Sequence, residues 1–394
     1  MQVNSDRHIL HMDLDTFFVS VERLLNSALV GQPVIIGGGS DRGVVASCSY
    51  EARAFGVHSA MPMKLARQLC PDAIQVRGDM ESYSKFSRMV TDIIEEKAPV
   101  VEKASIDEHY LDLTGMDKFY GCYKWSTELR TRIMKETGLP ISFGLSVNKT
   151  VSKIATGEAK PCGEKNVLKD EVKPFINPLS IKKIPMLGPK SYTLLRSMGV
   201  DTIKTLSEVQ PELMQRVLGE NGLSIWNKAN GVDFASVEPY RERKSISAEQ
   251  TFEQDTIDLA KLKLVLAQMV NSLCFQLRKE GWLVSVVAVK IRYSNFDTHT
   301  QQLKINYTSL DHVIMKCVNE LFDKLYNRRM LIRLVGIRFS GLLRSSLQID
   351  LFEDSIERVS LYQAMDAIRK RFGEDKLMPS HLIDKRNKRK FYRG

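Results

Sequence analysis

Residues 8–18 read HILHMDLDTFF, and residues 100–115 read VVEKASIDEHYLDLTG. In the first stretch Leu10, Met12 and Leu14 alternate with Ile9, His11, Asp13 and Asp15, the period-2 pattern of a strand. The second predicts two strands with a break near Ala104–Asp107, which leaves Asp107 and Glu108 at a hairpin bend. Carboxylates set among Ile9, Leu14, Ile106 and Leu111 are costly to desolvate unless a cation neutralises them. Hard oxygen donors of this kind suit Mg²⁺, which keeps water and substrate phosphates in its other positions. Adjacent side chains on a regular strand face opposite ways, so Asp107 and Glu108 share one site only where the backbone bends. Acidic residues at strand ends are ordinarily solvated turn residues, and the pattern alone favours that reading for each cluster taken separately.

Around these stretches the chain mixes strand and helix signals. PVIIGG (33–38) is a short buried-strand run, Tyr50–Cys70 turns helical with interruptions near Gly56 and Pro62, and a helix over Trp125–Glu136 precedes the strand ISFGLSV (141–147). Residues 171–236 are helical and punctuated by prolines, and VEPYRERKS (237–245) reads as a polar linker. Beyond it the pattern predicts helix Leu259–Lys279, strands at 284–294 and 301–308, helix His312–Tyr326 and a strand at 333–342. From about Ser345 the chain becomes a polar tail ending KRNKRKFYRG, the best candidate for disorder, although LYQAMDAIRKRFG (361–373) within it is amphipathic and would fold back on a part of the chain the sequence does not identify.

A chain of 394 residues is long enough for two or three domains with real cores. Its 57 Lys and Arg against 47 Asp and Glu give a net charge of +10, which favours a polyanionic partner, nucleic acid or anionic lipid. No apolar run approaches the ~18 residues of a spanning helix, and the charged N-terminus lacks a signal-peptide core. Six widely spaced cysteines without a C-x-x-C pair read as reduced thiols of a cytoplasmic protein. No membrane role is expected.

HMDLDTFFVSVE, VVASCSYEARAFGV, YSKFSRMV, ASIDEHYLDLT and GEAKPCG occur in this order. The set resembles the Y-family DNA polymerases, and within them the DinB branch, over roughly residues 8–343. The resemblance implies an α+β multidomain, right-hand polymerase. A ferredoxin-like palm would take 1–18 and 78–170, small fingers 19–77, a helix-hairpin-helix thumb 171–236 and a linker 237–243. An α+β little finger would take 244–343, and a flexible clamp-binding tail 344–394.

Carried onto this chain, the resemblance makes Asp13, Asp107 and Glu108 catalytic. With the Leu14 carbonyl they would hold two Mg²⁺ ions, while Asp15 supports the strand end. Phe18 matches the steric gate that rejects a 2′-hydroxyl. Phe17 reads as core, grouped with Val21, Leu24 and Leu25, and its N–H could face phosphate. Ser47, Tyr50 and Arg53 recur every three residues on one side of a helix or its entry turn, which suits a triphosphate. Lys160 matches the other triphosphate position, and Tyr83 would pack near the sugar or in the core. His109 replaces a small residue of the family pattern and should face away from Glu108.

KKIPMLGPKSYTLLRSMGV (182–200) resembles the thumb motif, with Gly188 and Lys190 toward DNA phosphate and Met186 where the family usually has glycine. In the little-finger region Arg292 and Arg338, with Lys304 and Arg333, would lie on DNA-facing strands. QIDLFED (348–354) resembles a sliding-clamp peptide, with Leu351 and Phe352 as anchors and Gln348 at the pocket rim. The expected partners are primer–template DNA, dNTPs and the bacterial sliding clamp, for a monomeric, error-prone translesion polymerase. A catalytically decayed DNA- and clamp-binding protein and a palm-fold nucleotidyl cyclase remain alternatives.

Overall fold

A computed structural model describes residues 7–116, 121–240, 242–326, 329–344, 356–373 and 376–379. The chain forms two compact units, Met1–Arg241 and Glu242–Gly394.

In the first unit the alternating stretch becomes β1 (Ile9–Leu14), the middle of a five-stranded sheet. Its partners are β5 (Val101–Lys103), β6 (Glu108–Asp112), β7 (Ile141–Ser146) and β8 (Glu164–Asn166), in the order β5-β6-β1-β7-β8. A separate three-stranded sheet holds β2 (Val34–Gly37), β3 (Val45–Cys48) and β4 (Ile74–Val76), in the order β3-β2-β4. Helices α1 (Phe17–Leu25), α2 (Tyr50–Ala54), α3 (Met63–Leu69), α4 (Met80–Lys97), α5 (Cys122–Thr137) and α6 (Lys149–Ala159) surround the two sheets.

Leu10, Met12 and Leu14 enter one core with Phe17, Val90, Ile94, Leu129 and Ile133, from α1, α4 and α5. Helix α6 covers the other face, where the side chain of His11 meets that of Thr156. Gly144 on β7 makes this close approach possible, since a Cβ there would lie 2.3 Å from the Ser152 carbonyl oxygen. Both faces of β1 are therefore buried, and Asp13 and Asp15 are carried to a sheet end rather than to open solvent. The smaller sheet has its own core, with Ile35, Val45 and Cys48 packed on Ala52, Met63 and Ala66.

A helical region follows: α7 (Val172–Ile176), α8 (Pro189–Ser197), α9 (Ile203–Ser207), α10 (Pro211–Leu218) and α11 (Glu220–Ala229). It centres on Ile176, Ile181, Leu195, Ile203, Leu206 and Ile225. The segment after it is fastened back onto α6, its cap and β5 within the same unit. Asn148 donates to the Gly231 carbonyl at 2.8 Å, Thr150 to Asp233 at 2.7 Å, and the Glu238 N–H to Glu102 at 2.8 Å.

The second unit is an antiparallel sheet in the order β11-β10-β12-β9. It contains β9 (Ser245–Thr256), β10 (Trp282–Tyr293), β11 (Thr298–Thr308) and β12 (Ile332–Arg344), with α12 (Leu259–Glu280) and α13 (Asp311–Leu325) against one face. One feature differs from the sequence expectation, and the amphipathic stretch of the tail finds its partner in α12. Strand β9 was not anticipated; as an edge strand it buries only Ile246 and Phe252, which breaks the alternation that marks a strand. The polar tail contains α14 (Ile356–Phe372), which docks through charge. Arg278 of α12 grips Asp366 at 2.6 and 3.1 Å, and buried Arg369 donates to Asn271 at 2.8 Å. The QIDLFED segment and the basic chain end lie outside the described residues.

Among the described residues no helix is long and apolar enough to cross a membrane. All six cysteines are free thiols.

Candidate active site

The end of β1 and the start of β6 bring the acidic residues together. Asp13 stands opposite Glu108 in the antiparallel register, and the Leu14 N–H donates to the Asp107 carbonyl at 3.0 Å. The bend between β5 and β6 is built by Ser105. Its hydroxyl accepts from the Asp107 and Glu108 N–H groups at 3.3 and 3.0 Å and donates to Asp107 Oδ1 at 2.6 Å. Asp107 and Glu108 thus meet at a turn, the geometry that sharing one site requires.

Burial drives the Asp13 carboxyl up to about 7, opposed by Lys160 and reinforced by the charges of Glu108 and Asp107. Lys160 Nζ donates to Asp13 Oδ1 at 2.5 Å, and Lys153 Nζ to Glu108 Oε2 at 2.5 Å. Although burial alone would raise Glu108, the ammonium group of Lys153 bonded to it holds it well below the usual carboxylate range. His11 Nδ1 pairs with Thr156 Oγ1 at 2.8 Å, while its Nε2 lies 3.8 Å from Glu108 with no hydrogen-bond partner. Burial lowers the His11 imidazole to about 4, so near neutral pH it is uncharged.

Among the described residues no three His, Cys, Asp or Glu side chains are already grouped as metal ligands. The donor chemistry nonetheless fits a hard divalent cation. Asp13 senses the charge of both Asp107 and Glu108, and single lysine nitrogens neutralise two of these three carboxylates.

Asp15 differs from its neighbours. It is 1% exposed and accepts hydrogen bonds from Ser142 Oγ and the Cys162 N–H, both at 2.7 Å, and from Tyr50 Oη at 3.2 Å. It joins β1, β7, α2 and the loop after α6, and is spent on that task. Just beyond it Thr16 adopts a left-handed conformation, φ 43°, uncommon for a β-branched residue, and the chain turns sharply into α1.

That turn sets Phe17 into the core and leaves Phe18 half-buried at its rim. The Phe18 ring stacks on Tyr83 with centroids 4.3 Å apart and planes 11° from parallel. Tyr83 is fully buried and donates to Glu22 Oε1 at 2.5 Å, so Phe18 rests on a fixed floor. Of the four apolar residues grouped in the sequence, Phe17 and Val21 are buried whereas Leu24 and Leu25 are exposed.

Ser47, Tyr50 and Arg53 do not share a helix stripe. Ser47 lies on β3, because Ser49 caps α2 by accepting from the Ala52 N–H and starts the helix at Tyr50. Arg53 is exposed, with its guanidinium over the Tyr50 ring at 5.0 Å. The polar group therefore runs Asp15, Tyr50, Arg53, while Ser47 is buried on β3.

His109 points away from the acidic group. It is fully buried, with Nε2 3.0 Å from Thr91 Oγ1, and burial lowers it to about 3. Thr91 gives its own proton to the Ser87 carbonyl, which makes Nε2 of His109 the protonated ring nitrogen.

In the helical region Gly188 caps α8 with Pro189 at its first position, and both Gly188 and Lys190 are exposed. Met186 holds φ 75°, a backbone conformation suited to glycine, and is 87% exposed. In the second unit Arg338 and Lys304 are exposed, and Arg292 donates to Thr298 at 2.8 Å. Arg333 instead stacks over Phe296, 4.5 Å from its ring centre.

Lys153 and His11 escaped the sequence reading. The available signal was the position of Lys153 on α6, four residues from Lys149 and three from Thr156, on a helix placed against a glycine-bearing strand.

The sequence model of the impB/mucB/samB family matches residues 12–157, and that of its C-terminal domain matches residues 243–351. DNA polymerase IV of Dehalococcoides mccartyi is 35% identical over 374 residues, 93% of this chain and 95% of that protein. DNA polymerase IV of Treponema denticola is 34% identical over 387 residues, covering 97% of this chain and 98% of its own length. A solved Y-family DNA polymerase chimera, Dbh-Dpo4(243-245)-Dbh, matches with TM-score 0.77 and 26% identity, over 85% of this chain and 99% of its own.

Proposed function

The chain belongs to the Y-family DNA polymerases, and from that membership we propose that Asp13, Asp107, Glu108 and the Leu14 carbonyl hold two Mg²⁺ ions for translesion synthesis. The observation that carries this reading is the convergence of three carboxylates at the β1–β6 turn, beside an aromatic ring seated on a buried tyrosine. Metal ions bound there would lower the pKa of a primer 3′-hydroxyl and stabilise charge on departing pyrophosphate.

The protein's own groups have separate tasks. Lys160, Arg53 and Tyr50 receive the triphosphate, with Ser47 and the first N–H groups of α1, at Phe17 and Phe18, alongside. Phe18 sits beneath the sugar and leaves neither room nor a hydrogen-bond partner for a 2′-hydroxyl. Lys153 holds Glu108 in place and offsets its charge until metal is bound.

Domain roles follow the same reading. The five-stranded sheet with its helices is the palm, the small sheet the fingers, α7–α11 the thumb and residues 244–343 of the second unit the little finger, with the clamp-binding tail after it. Gly188 and Lys190 bind template or primer phosphates without reading sequence, and Arg292 and Arg338 serve on the second unit. Gln348, Leu351 and Phe352 recruit the sliding clamp, for a cytoplasmic protein acting as a monomer. The intact acidic group, with His109 turned toward Thr91, supports an active enzyme over a decayed one.

Primer extension tests the reading, with Mn²⁺ binding followed by electron paramagnetic resonance as a second readout. Template-directed extension by the unaltered chain, lost together with Mn²⁺ affinity in Asp107→Ala, is the expected result. Full extension by Asp107→Ala would remove this residue from the site.

A further inference from the structure

The face of the second unit's sheet turned away from α12 and α13 is a shallow hollow of about 450 Å³. Polar side chains, Ser247, Thr300, Gln302 and Ser340 among them, share its lining with Ile337, and Ala288 and Gly336 contribute almost no side chain. The hollow suits a polyanion backbone better than an apolar ligand. Two cations reach it, Lys290 and Arg338, and among the described residues that line it one is acidic, Glu249.

The acid is placed by register. Thr300, Lys290, Gly336 and Glu249 stand in one row across β11, β10, β12 and β9. Lys290 and Glu249 are two strands apart, roughly 10 Å at ordinary strand spacing. Glu249 closes that gap by lying across Gly336: a Cβ at position 336 would sit 2.7 Å from Glu249 Cγ. Its Oε1 then accepts from Lys290 Nζ. Both side chains are more than a third exposed, so the pair is screened and easily opened.

We propose that Glu249 is a built-in brake on DNA grip, competing with a backbone phosphate for Lys290 across the gap left by Gly336. This deepens, and rests on, the reading of the second unit as a DNA-holding surface. A phosphate that approaches Lys290 must displace or face a carboxylate, so one of the hollow's two cations is partly cancelled. The brake weakens retention on DNA without touching the reacting atoms.

The test is primer–template binding by the full chain, by fluorescence anisotropy over a salt series. Glu249→Gln keeps the shape and removes the charge. It should tighten binding about 2- to 5-fold at low salt and steepen the log–log salt slope by about 0.9, the signature of one more phosphate contact. Gly336→Ala should move the same way, since the added methyl pushes Glu249 off its path. Lys290→Gln should abolish the gain in the Glu249→Gln background.

Unchanged affinity and slope in a folded, DNA-binding Glu249→Gln would overturn the brake and leave the DNA-holding reading standing. Weaker binding would overturn it too, by making Glu249 a DNA ligand that accepts from a base amino group. Failure of the unaltered chain to bind primer–template would instead remove the DNA-holding reading, and the brake with it.

Discussion

Two of the inner clusters in which carboxylates meet cations can be compared, and the cation differs. At the end of β1, Asp13 and Glu108 each receive one lysine nitrogen, from Lys160 and Lys153, whose side chains are 24% and 33% exposed. Beneath α14, Asp366 and Asp311 are gripped by Arg278, which is 6% exposed, lies over the Tyr362 ring at 4.9 Å and also donates to the Ser309 carbonyl at 2.7 Å. A lysine is a flexible point charge that another cation can replace, whereas a buried guanidinium fork fixes its partners' geometry. The first cluster is arranged for exchange and the second for permanence.

Substitutions can break this contrast. The largest expected effect is on Asp107, whose side chain accepts from Ser105 of its own turn. Asp107→Ala should lower extension by roughly 10³-fold while shifting the melting temperature by no more than about a degree. A large loss of stability would place this residue with the structural cluster instead. Arg278→Met should do the reverse. It strands two buried carboxylates and should cost roughly 3–5 kcal/mol by denaturant titration, and Arg278→Lys should recover less than half of it. Full recovery by lysine would erase the distinction between fork and point charge.

Smaller effects sharpen the picture. Phe18→Ala should raise ribonucleotide incorporation roughly 100-fold relative to deoxynucleotide, read by extension with each triphosphate separately. Lys160→Arg keeps the charge but alters its shape, and should reduce kcat/KM for dNTP by about 10-fold. The smallest change expected is in Tyr83→Phe. Cutting the bond to Glu22 should loosen the floor under Phe18 and cost sugar discrimination only about 2- to 5-fold.

The same contrast explains what was legible in the sequence. Strand β1 announces itself because its alternation is strong and its neighbours supply both faces of cover. The acidic turn was legible as motif strings, and Ser105 within ASIDE supplies the bend that the chemistry requires. Strand β9 was hidden because an edge strand over an open face has little apolar content to display. Helix α14 is legible as an amphipathic stretch but its partner is not, because it buries Asp366 and Arg369 while Leu361, Ile368 and Phe372 stay exposed, inverting the usual pattern. Pairing of its charges with α12 is a tertiary fact, as is the contact between Lys153 and Glu108. Ser47 was assigned to the wrong element because a three-residue spacing ignores the cap at Ser49.

The grip of Arg278 on Asp366 also governs how the protein can be shortened. A chain cut after Arg344 would discard the clamp-type peptide together with Asp366 and Arg369, leaving Arg278 and Asn271 without those partners. Any loss of clamp response in such a truncation would be mixed with damage to the second unit itself. Alanines at Leu351 and Phe352, with α14 retained, separate recruitment from folding; by the same logic the tolerance of this tail to genetic change should fall abruptly at positions 366 and 369.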